Sequence, residues 1–124
     1  MFKMNYVNGY YPVSVTCYHD RFHNCNACTF QMGTATIFQS YQTPIAALDT
    51  FNGVRHLAVN PYYNCSPTTR KQFSRWLREN GLPTYQQVKY VLSDAEPDTG
   101  ELWDYEDSNT VIHYISYDRF VSAL

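Results

Sequence analysis

The sequence predicts an α+β fold in which two adjacent helices pack on one side of an antiparallel β-sheet. Three observations support this fold class. Extended segments flank an Asn-Gly pair, two amphipathic segments begin with helix-capping residues, and a β-branched run lies near the C-terminus. With 124 residues, 44% of them hydrophobic, the chain is long enough to bury its own core, so we expect a single domain over residues 1–124.

The first half of the chain predicts strands. Apolar and polar residues alternate over residues 12–18, which indicates a strand, whereas residues 19–28 predict an irregular polar segment. Residues 29–41 are rich in Thr, Phe and Ile and predict two extended pieces that are broken at a glycine. Residues 44–59 predict a hairpin, because Asn52-Gly53 supplies the positive φ angles that a tight turn requires.

Two helices are expected after the hairpin. Ser66 followed by Pro67 is typical of an N-cap and a first helical residue, and predicts a helix over residues 67–80. Thr84, with a glutamine three residues later, opens a capping box and predicts a second helix over residues 84–93. The short connection between them predicts that the two helices are neighbours.

The C-terminal part predicts a loop and then a strand. Pro97 and Gly100 interrupt residues 94–107, which we expect to be a loop. Residues 110–115 are β-branched and predict a strand. Residues 117–124 are consistent with either a short terminal helix or an extended end.

Charge is divided between two parts of the chain. Residues 1–93 hold eight Lys/Arg and three acids, a formal charge of +5, whereas residues 94–124 hold eight acids and one arginine, a formal charge of −7. Residues 94–107, the acidic segment, contain no base. Their acids are Asp94, Glu96, Asp98, Glu101, Asp104, Glu106 and Asp107. Like charges held this close repel one another unless a partner or solvent screens them, which favours a binding surface.

The acidic segment predicts a partner that handles nucleic acid. Duplex DNA presents one charge per ~1.7 Å of axis, and closely spaced carboxylates can imitate it on the basic surface of a host protein. We expect the seven acids, with Trp103 and Tyr105 between them, to form the contact. The alternative is a solvated loop that contacts nothing.

The first predicted helix offers a second candidate surface. Lys71, Arg75 and Arg78 form a stripe opposite its apolar face, with Arg70 nearby. Such a stripe can contact phosphates, so direct binding of nucleic acid is the alternative function. A basic outward helix face is also common on proteins that bind no nucleic acid.

Cysteine and histidine concentrate near the N-terminus. Cys17, His23, Cys25 and Cys28 would be the ligands if zinc were bound, with His19 as the alternative to His23, since zinc takes four N or S donors in a tetrahedron. The spacing matches no standard zinc finger, so we expect no cofactor. A zinc-stabilised interaction module stays open as a third function.

Other classes of protein receive little support. The sequence has no Gly-rich phosphate loop, nucleophile elbow or HExxH motif, so we expect no enzyme. The N-terminus has no apolar stretch of the kind found in signal peptides, and no apolar run is long enough to span a bilayer. We therefore expect a cytoplasmic protein without a membrane partner. The oligomeric state is not predicted.

Two polar motifs carry a family resemblance over roughly residues 38–80. The first is Ser40-Tyr41-Gln42-Thr43-Pro44-Ile45-Ala46, and the second contains Tyr63, Ser66 and Thr68-Thr69-Arg70-Lys71. The chain thereby resembles small uncharacterised accessory proteins encoded by bacteriophages and prophages of low-GC Gram-positive bacteria. The resemblance implies a phage accessory protein. Together with the acidic segment, it predicts a non-enzymatic protein that binds a host macromolecule in an infected bacterium. Its most concrete form is an anti-defence protein that inhibits a CRISPR nuclease.

Overall fold

One seven-stranded sheet organises the chain. The computed structural model describes residues 15–19, 25–41, 43–98, 101–105 and 109–123. Its strands follow the order β1-β2-β3-β4-β5-β7-β6, and all described neighbours are antiparallel except β5 and β7, which are parallel. The elements are β1 (Val15–His19), β2 (Cys25–Met32), β3 (Ala35–Ser40), β4 (Thr43–Phe51), β5 (Val54–Val59), a 3-10 turn (Pro61–Asn64), α1 (Pro67–Glu79), α2 (Tyr85–Leu92), β6 (Glu101–Tyr105), β7 (Thr110–Tyr114) and α3 (Tyr117–Ala123). The α+β prediction is confirmed.

The predicted hairpin is formed by β4 and β5. Asn52 and Gly53 connect the strands with φ angles of 55° and 73°, and Phe51 pairs with Val54 across the turn. Positive φ at both central residues matches the right-handed twist of the paired strands, which is why Asn-Gly is favoured there.

Both helix starts have the predicted caps. The Ser66 hydroxyl accepts the backbone N–H of Thr69 at 3.1 Å. At α2 the capping box is complete, because Gln87 N–H donates to the Thr84 hydroxyl at 3.2 Å while the Thr84 N–H donates to the Gln87 side chain at 2.7 Å. Each cap satisfies backbone groups that the helix itself leaves without partners.

The end of α1 is fixed by a glycine and by an arginine from the sheet. Gly81 has a φ of 62°, and the N–H of Leu82 reaches back to the Leu77 carbonyl at 3.0 Å. Arg55 on β5 donates to the carbonyls of Asn80 and Gly81, each at 2.8 Å. A cation is favourable at this end of a helix. Arg55 therefore links the start of β5 to the end of α1.

Helices α1 and α2 pack on one face of the sheet, as predicted. Phe38 of β3 stacks on Phe73 and Trp76 of α1, with ring centroids 5.7 and 5.5 Å apart. The first core also contains Ala27, Ile45, Ala46, Leu57, Val59, Tyr63, Leu77, Leu82, Tyr85, Val88, Leu92 and Ile112. Aromatic rings thus supply much of the buried area between helix and sheet.

The C-terminal end is a helix, α3, and it packs with a second core. Its Phe120 is buried together with Ala35, Ile37, Ala47, Ala58 and Ile115. Residues of the two cores alternate along β3 and β5, so the second core lies on the opposite face of the sheet from α1 and α2. Among the described residues, no helix is long and apolar enough to cross a membrane.

Two local predictions are wrong. His19 and Cys25–Cys28, expected in an irregular segment, belong to the paired strands β1 and β2. Glu101–Tyr105, expected in a loop, forms β6 and pairs with β7. In both cases a neighbouring strand outweighs polar or acidic composition, because strand formation depends on the partner as well as on local propensity.

Replacing Phe38 by Ala should destabilise the fold strongly. The side chain is fully buried between β3 and α1, and removing a buried phenylalanine costs about 3–5 kcal/mol. Urea unfolding would measure this as a lower midpoint with an unchanged slope. Tyr90→Ala is the matched control, since Tyr90 is 79% exposed and should cost less than ~0.5 kcal/mol. Equal losses for the two variants would contradict the burial of Phe38 between β3 and α1.

Candidate functional site

The acidic segment begins in the connection after α2. Asp94 and Glu96 are both exposed there. Farther along, Glu101, Trp103, Asp104 and Tyr105 lie in β6, while Glu106 and Asp107 fall outside the described residues. The structure therefore places most of the predicted contact residues in two stretches, a turn and a strand.

Asp98 has a role inside the protein. Its carboxylate accepts the N–H of Ser116 at 3.0 Å and lies 3.3 Å from the guanidinium of Arg119. Partial burial acts to raise the pKa of Asp98, but the hydrogen bonds from Ser116 and the charge of Arg119 lower it overall. Asp98 thus holds the start of α3, and it contributes less than the other acids to the charge offered to a partner.

β6 is the last strand in the sheet order and pairs with β7 on one side. Glu101 is opposite His113, and Asp104 is opposite Val111, with a register shift between Glu101 and Trp103. Among the described residues no strand pairs with the other side of β6. An edge strand of this kind presents backbone groups to a binding partner.

The basic residues of α1 lie where the sequence predicts them. Lys71, Arg75 and Arg78 are exposed, on the side of the helix opposite the buried Phe73 and Trp76. Arg75 forms an ion pair with Glu79 at 2.8 Å, and both side chains are well exposed, so the pair adds little stability.

Arg70 stands beside this stripe. It is exposed, and its guanidinium donates to the carbonyl of Asn64 at 3.4 Å. The four bases therefore form a basic surface on α1.

The predicted metal ligands lie in the first hairpin of the sheet. Cys17 is in β1, Cys25 and Cys28 are in β2, and His23 falls outside the described residues. Burial raises the pKa of the Cys28 thiol, which disfavours a reactive thiolate. Across the side chains that the structure describes, no three His, Cys, Asp or Glu residues are grouped as a metal site.

A buried polar cluster was not predicted. Asp49 is opposite His56 in the β4–β5 register, and His56 Nδ1 lies 3.0 Å from His113 Nε2 on β7. The ring of Phe51 stacks on His56 with centroids 3.8 Å apart. The histidines are 57 residues apart in sequence, and only the parallel pairing of β5 with β7 brings them together. The one available signal was a histidine within the apolar run of residues 110–115.

The cluster is part of the sheet interior. His113 is only 1% exposed, and burial, with the nearby charge of His56, lowers its pKa to about 4. At neutral pH the His113 imidazole is therefore neutral, and it can share a hydrogen bond with the ring of His56. The cluster spans β4, β5 and β7, and its three polar residues are buried.

The two motifs behind the family resemblance meet in space. Ser40 of the first motif is hydrogen-bonded to Thr69 of the second at 2.8 Å and donates to Gln72 at 2.9 Å. Ser66 contacts the same threonine hydroxyl at 3.1 Å. These contacts dock the start of α1 on β3. Ser40, Ser66 and Thr69 of the two motifs therefore have a structural role.

Stability should depend on pH through His113. Its pKa is about 4 in the folded protein and 6.5 in the unfolded chain, so the unfolded state binds the proton more readily. Stability should fall by about 3 kcal/mol as the pH falls from about 6.5 to 4. Urea unfolding at a series of pH values would measure this. His113→Gln should be less stable at neutral pH but should lose less stability as the pH falls from about 6.5 to 4. If its free energy of unfolding depends on pH as steeply as that of the wild type, His113 is not the group responsible.

Comparison with known proteins places the chain in a family without assigning a function. Residues 8–91, more than half of the chain, match the model of a family described as "Family of unknown function (DUF8033)". The match contains the whole basic surface of α1 and ends before Asp94. No curated protein and no solved structure matches. The protein belongs to the DUF8033 family.

Proposed function

We propose that the protein is a non-enzymatic binding protein that uses its acidic segment to engage a basic host partner. The observation that supports this is a base-free run of acids that continues from an exposed turn into an edge strand. In its most concrete form the partner is a CRISPR nuclease, and the acids occupy the surface that would otherwise bind DNA. The phage-type resemblance of the two motifs supports the host setting.

The edge strand makes charge mimicry more effective than a loop would. A β-strand advances about 3.3 Å per residue, so its backbone holds acidic positions at fixed spacings. A backbone that is already held in a strand loses less conformational entropy when a partner binds. Asp94 and Glu96, which are exposed before the strand in sequence, add two carboxylates, and several closely spaced carboxylates are needed to match the charge density of DNA.

Acids on an edge strand have a second known effect. They prevent a sheet from pairing with the edge of another sheet, because the charges would be brought together. The two roles differ in their consequences. Loss of edge protection produces self-association, whereas loss of a contact surface leaves a monodisperse protein that no longer binds its partner.

The test compares two triple variants that each remove three charges. Asp104→Asn, Glu106→Gln and Asp107→Asn neutralise the acidic segment, and Lys71→Gln, Arg75→Gln and Arg78→Gln neutralise α1. In bacteria with an active CRISPR nuclease, the wild type and the α1 variant should protect an infecting phage, and the acidic variant should not. With the purified nuclease, the acidic variant should associate at least about tenfold more slowly, because the lost charges no longer steer the two proteins together. Added salt should slow association of the wild type for the same reason.

Three outcomes would count against this proposal. Full protection by the acidic variant would show that the replaced acids are not part of the contact. Loss of function only in the α1 variant would transfer the contact to the basic surface. Self-association of the acidic variant in size-exclusion chromatography, with unchanged binding by its monomer, would assign the acids to edge protection.

A second candidate function is direct binding of nucleic acid by α1. It is favoured by the exposure of Arg70, Lys71, Arg75 and Arg78, all of which lie within the part of the chain that matches the family. Fluorescence anisotropy with a labelled DNA duplex tests it. Affinity that falls steeply with salt and is lost in the α1 variant would support this function. No binding at low salt would exclude it.

A further inference from the structure

Three tyrosines from separate elements gather beside α1. Tyr63 lies in the 3-10 turn, Tyr85 is the first residue of α2, and Tyr114 is the last residue of β7. The ring centroid of Tyr63 is 6.1 Å from that of Tyr85 and 6.4 Å from that of Tyr114. Phe73 of α1 lies 6.4 Å from Tyr63 and 6.2 Å from Tyr85. Tyr63, Tyr85 and Tyr114, the tyrosine cluster, therefore pack against the helix.

The hydroxyl of Tyr85 is a buried polar group without a partner. Tyr85 is 9% exposed, and within the described part of the chain its hydroxyl makes no hydrogen bond. Most buried hydroxyls in folded proteins are paired, because a buried donor without an acceptor is unfavourable. The Tyr85 hydroxyl is therefore available to a ligand.

The three phenols of the cluster are hydrogen-bond donors at neutral pH. Burial raises the pKa of Tyr85, although the charge of Arg70 acts in the opposite direction. Burial also raises the pKa of Tyr63, with further contributions from Tyr114 and Tyr85, and it raises the pKa of Tyr114. Each hydroxyl consequently keeps its proton and can donate it to an acceptor. Because Tyr63 interacts electrostatically with both other tyrosines, the hydroxyls lie near one another.

Arg70 supplies a positive charge beside the cluster. It is the fourth residue of α1, three positions before Phe73, so the two side chains are neighbours on the helix surface. Its charge acts on Tyr85. The guanidinium is exposed, and its one hydrogen bond to a described residue, to the carbonyl of Asn64, is long at 3.4 Å. A guanidinium has five N–H donors, so most of them can serve a ligand.

The start of α2 adds to the positive potential. A helix N-terminus carries a partial positive charge that favours anions, and α2 begins at Tyr85 with no acid in its first turn. Helix α1, which carries Arg70, has no acid in its first turn either. Aromatic rings can also bind a cation, but Arg70 would repel it. The electrostatics of the cluster therefore favour an anion.

From this arrangement we propose that Arg70, Tyr85 and Tyr63 bind a phosphate group, as free phosphate or as a phosphate monoester. The guanidinium fork matches two oxygens of a phosphate, and the phenol O–H groups can donate to another. Lys71, the exposed neighbour of Arg70 in α1, adds a second positive charge. Two cations favour a phosphate dianion over a singly charged carboxylate. The inference is independent of the proposed function.

The proposal gives a role to a motif residue that the fold uses little. Ser66 and Thr69 of the second sequence motif are hydrogen-bonded to each other at the start of α1, whereas Arg70 of the same motif contributes one long hydrogen bond. Arg70, Tyr63 and Tyr85 all lie within residues 8–91, the part of the chain that matches the family.

The experiment titrates the full chain with inorganic phosphate, and with chloride at equal ionic strength as the reference. Calorimetry should show saturable binding at one site, and the Tm should rise with phosphate but not with chloride. Arg70→Gln should weaken phosphate binding at least about tenfold, because charge-assisted hydrogen bonds are lost. Lys71→Gln is the matched control, since it removes an adjacent exposed charge and should cost about threefold at most.

Tyr85→Phe separates a ligand site from a structural role. The variant keeps the ring and removes only the unpaired hydroxyl, so in phosphate-free buffer it should be at least as stable as the wild type. Its affinity for phosphate should nevertheless fall about tenfold. Tyr90→Phe, at an exposed position, should change neither property. A Tyr85→Phe protein that is less stable without phosphate would show that the hydroxyl is already paired in the folded protein, and would overturn the proposal.

The remaining outcomes identify the source of the phosphate or reject the site. Methyl phosphate that binds as tightly as inorganic phosphate would assign a monoester, and its exclusion would assign free phosphate. The triple variant of Lys71, Arg75 and Arg78 keeps Arg70 and should still bind phosphate, so this site is distinguishable from binding of DNA by the basic surface. No saturable binding, or binding that is unchanged in both Arg70→Gln and Tyr85→Phe, would overturn the proposal.

Discussion

The packing of α1 on β3 is the constraint on which most other features depend. The rings of Phe38, Phe73 and Trp76 stack in the interior, and the contact of Ser40 with Thr69 fixes the start of the helix above them. Once this face is buried, the orientation of α1 is set. Lys71 and Arg78 must then lie on the outward side of the helix, so the position of the basic surface is a consequence of the aromatic core.

The position of the acidic segment depends on a different constraint, which is the insertion of β7 between β5 and β6. The chain passes β5, crosses α1 and α2, forms the outer strand β6, and only then fills the gap with β7. This order leaves Glu101 and Asp104 on the edge strand, while α1 carries its basic residues over one face of the sheet. The separation of charge along the sequence is thus also a separation between elements of the fold.

The sequence predicts the features that depend on neighbours in the chain. Asn52-Gly53, Ser66 and the Thr84–Gln87 pair each specify a local backbone geometry, and each is found as expected. The partnership of His56 with His113 could not be predicted, because it requires a parallel pairing across 57 residues. Strand β6 could not be predicted either, because its acidic composition is typical of a loop and the strand is stabilised by its pairing with β7. The pairing of His19 with Cys25 likewise depends on a bulge, which the sequence does not indicate.

The late arrival of β7 has a consequence for synthesis of the protein. A ribosome makes the chain from the N-terminus at about 5–20 residues per second, so β5 precedes its parallel partner by roughly 3–10 s. During that interval the β4–β5 hairpin can form, but the backbone groups of β5 that will pair with residues 110–114 have no strand beside them. The apolar residues Leu57, Ala58 and Val59 would be presented along this open edge. A strand that the finished sheet encloses on both sides is thus, during synthesis, an open edge at which the nascent chain can misassociate.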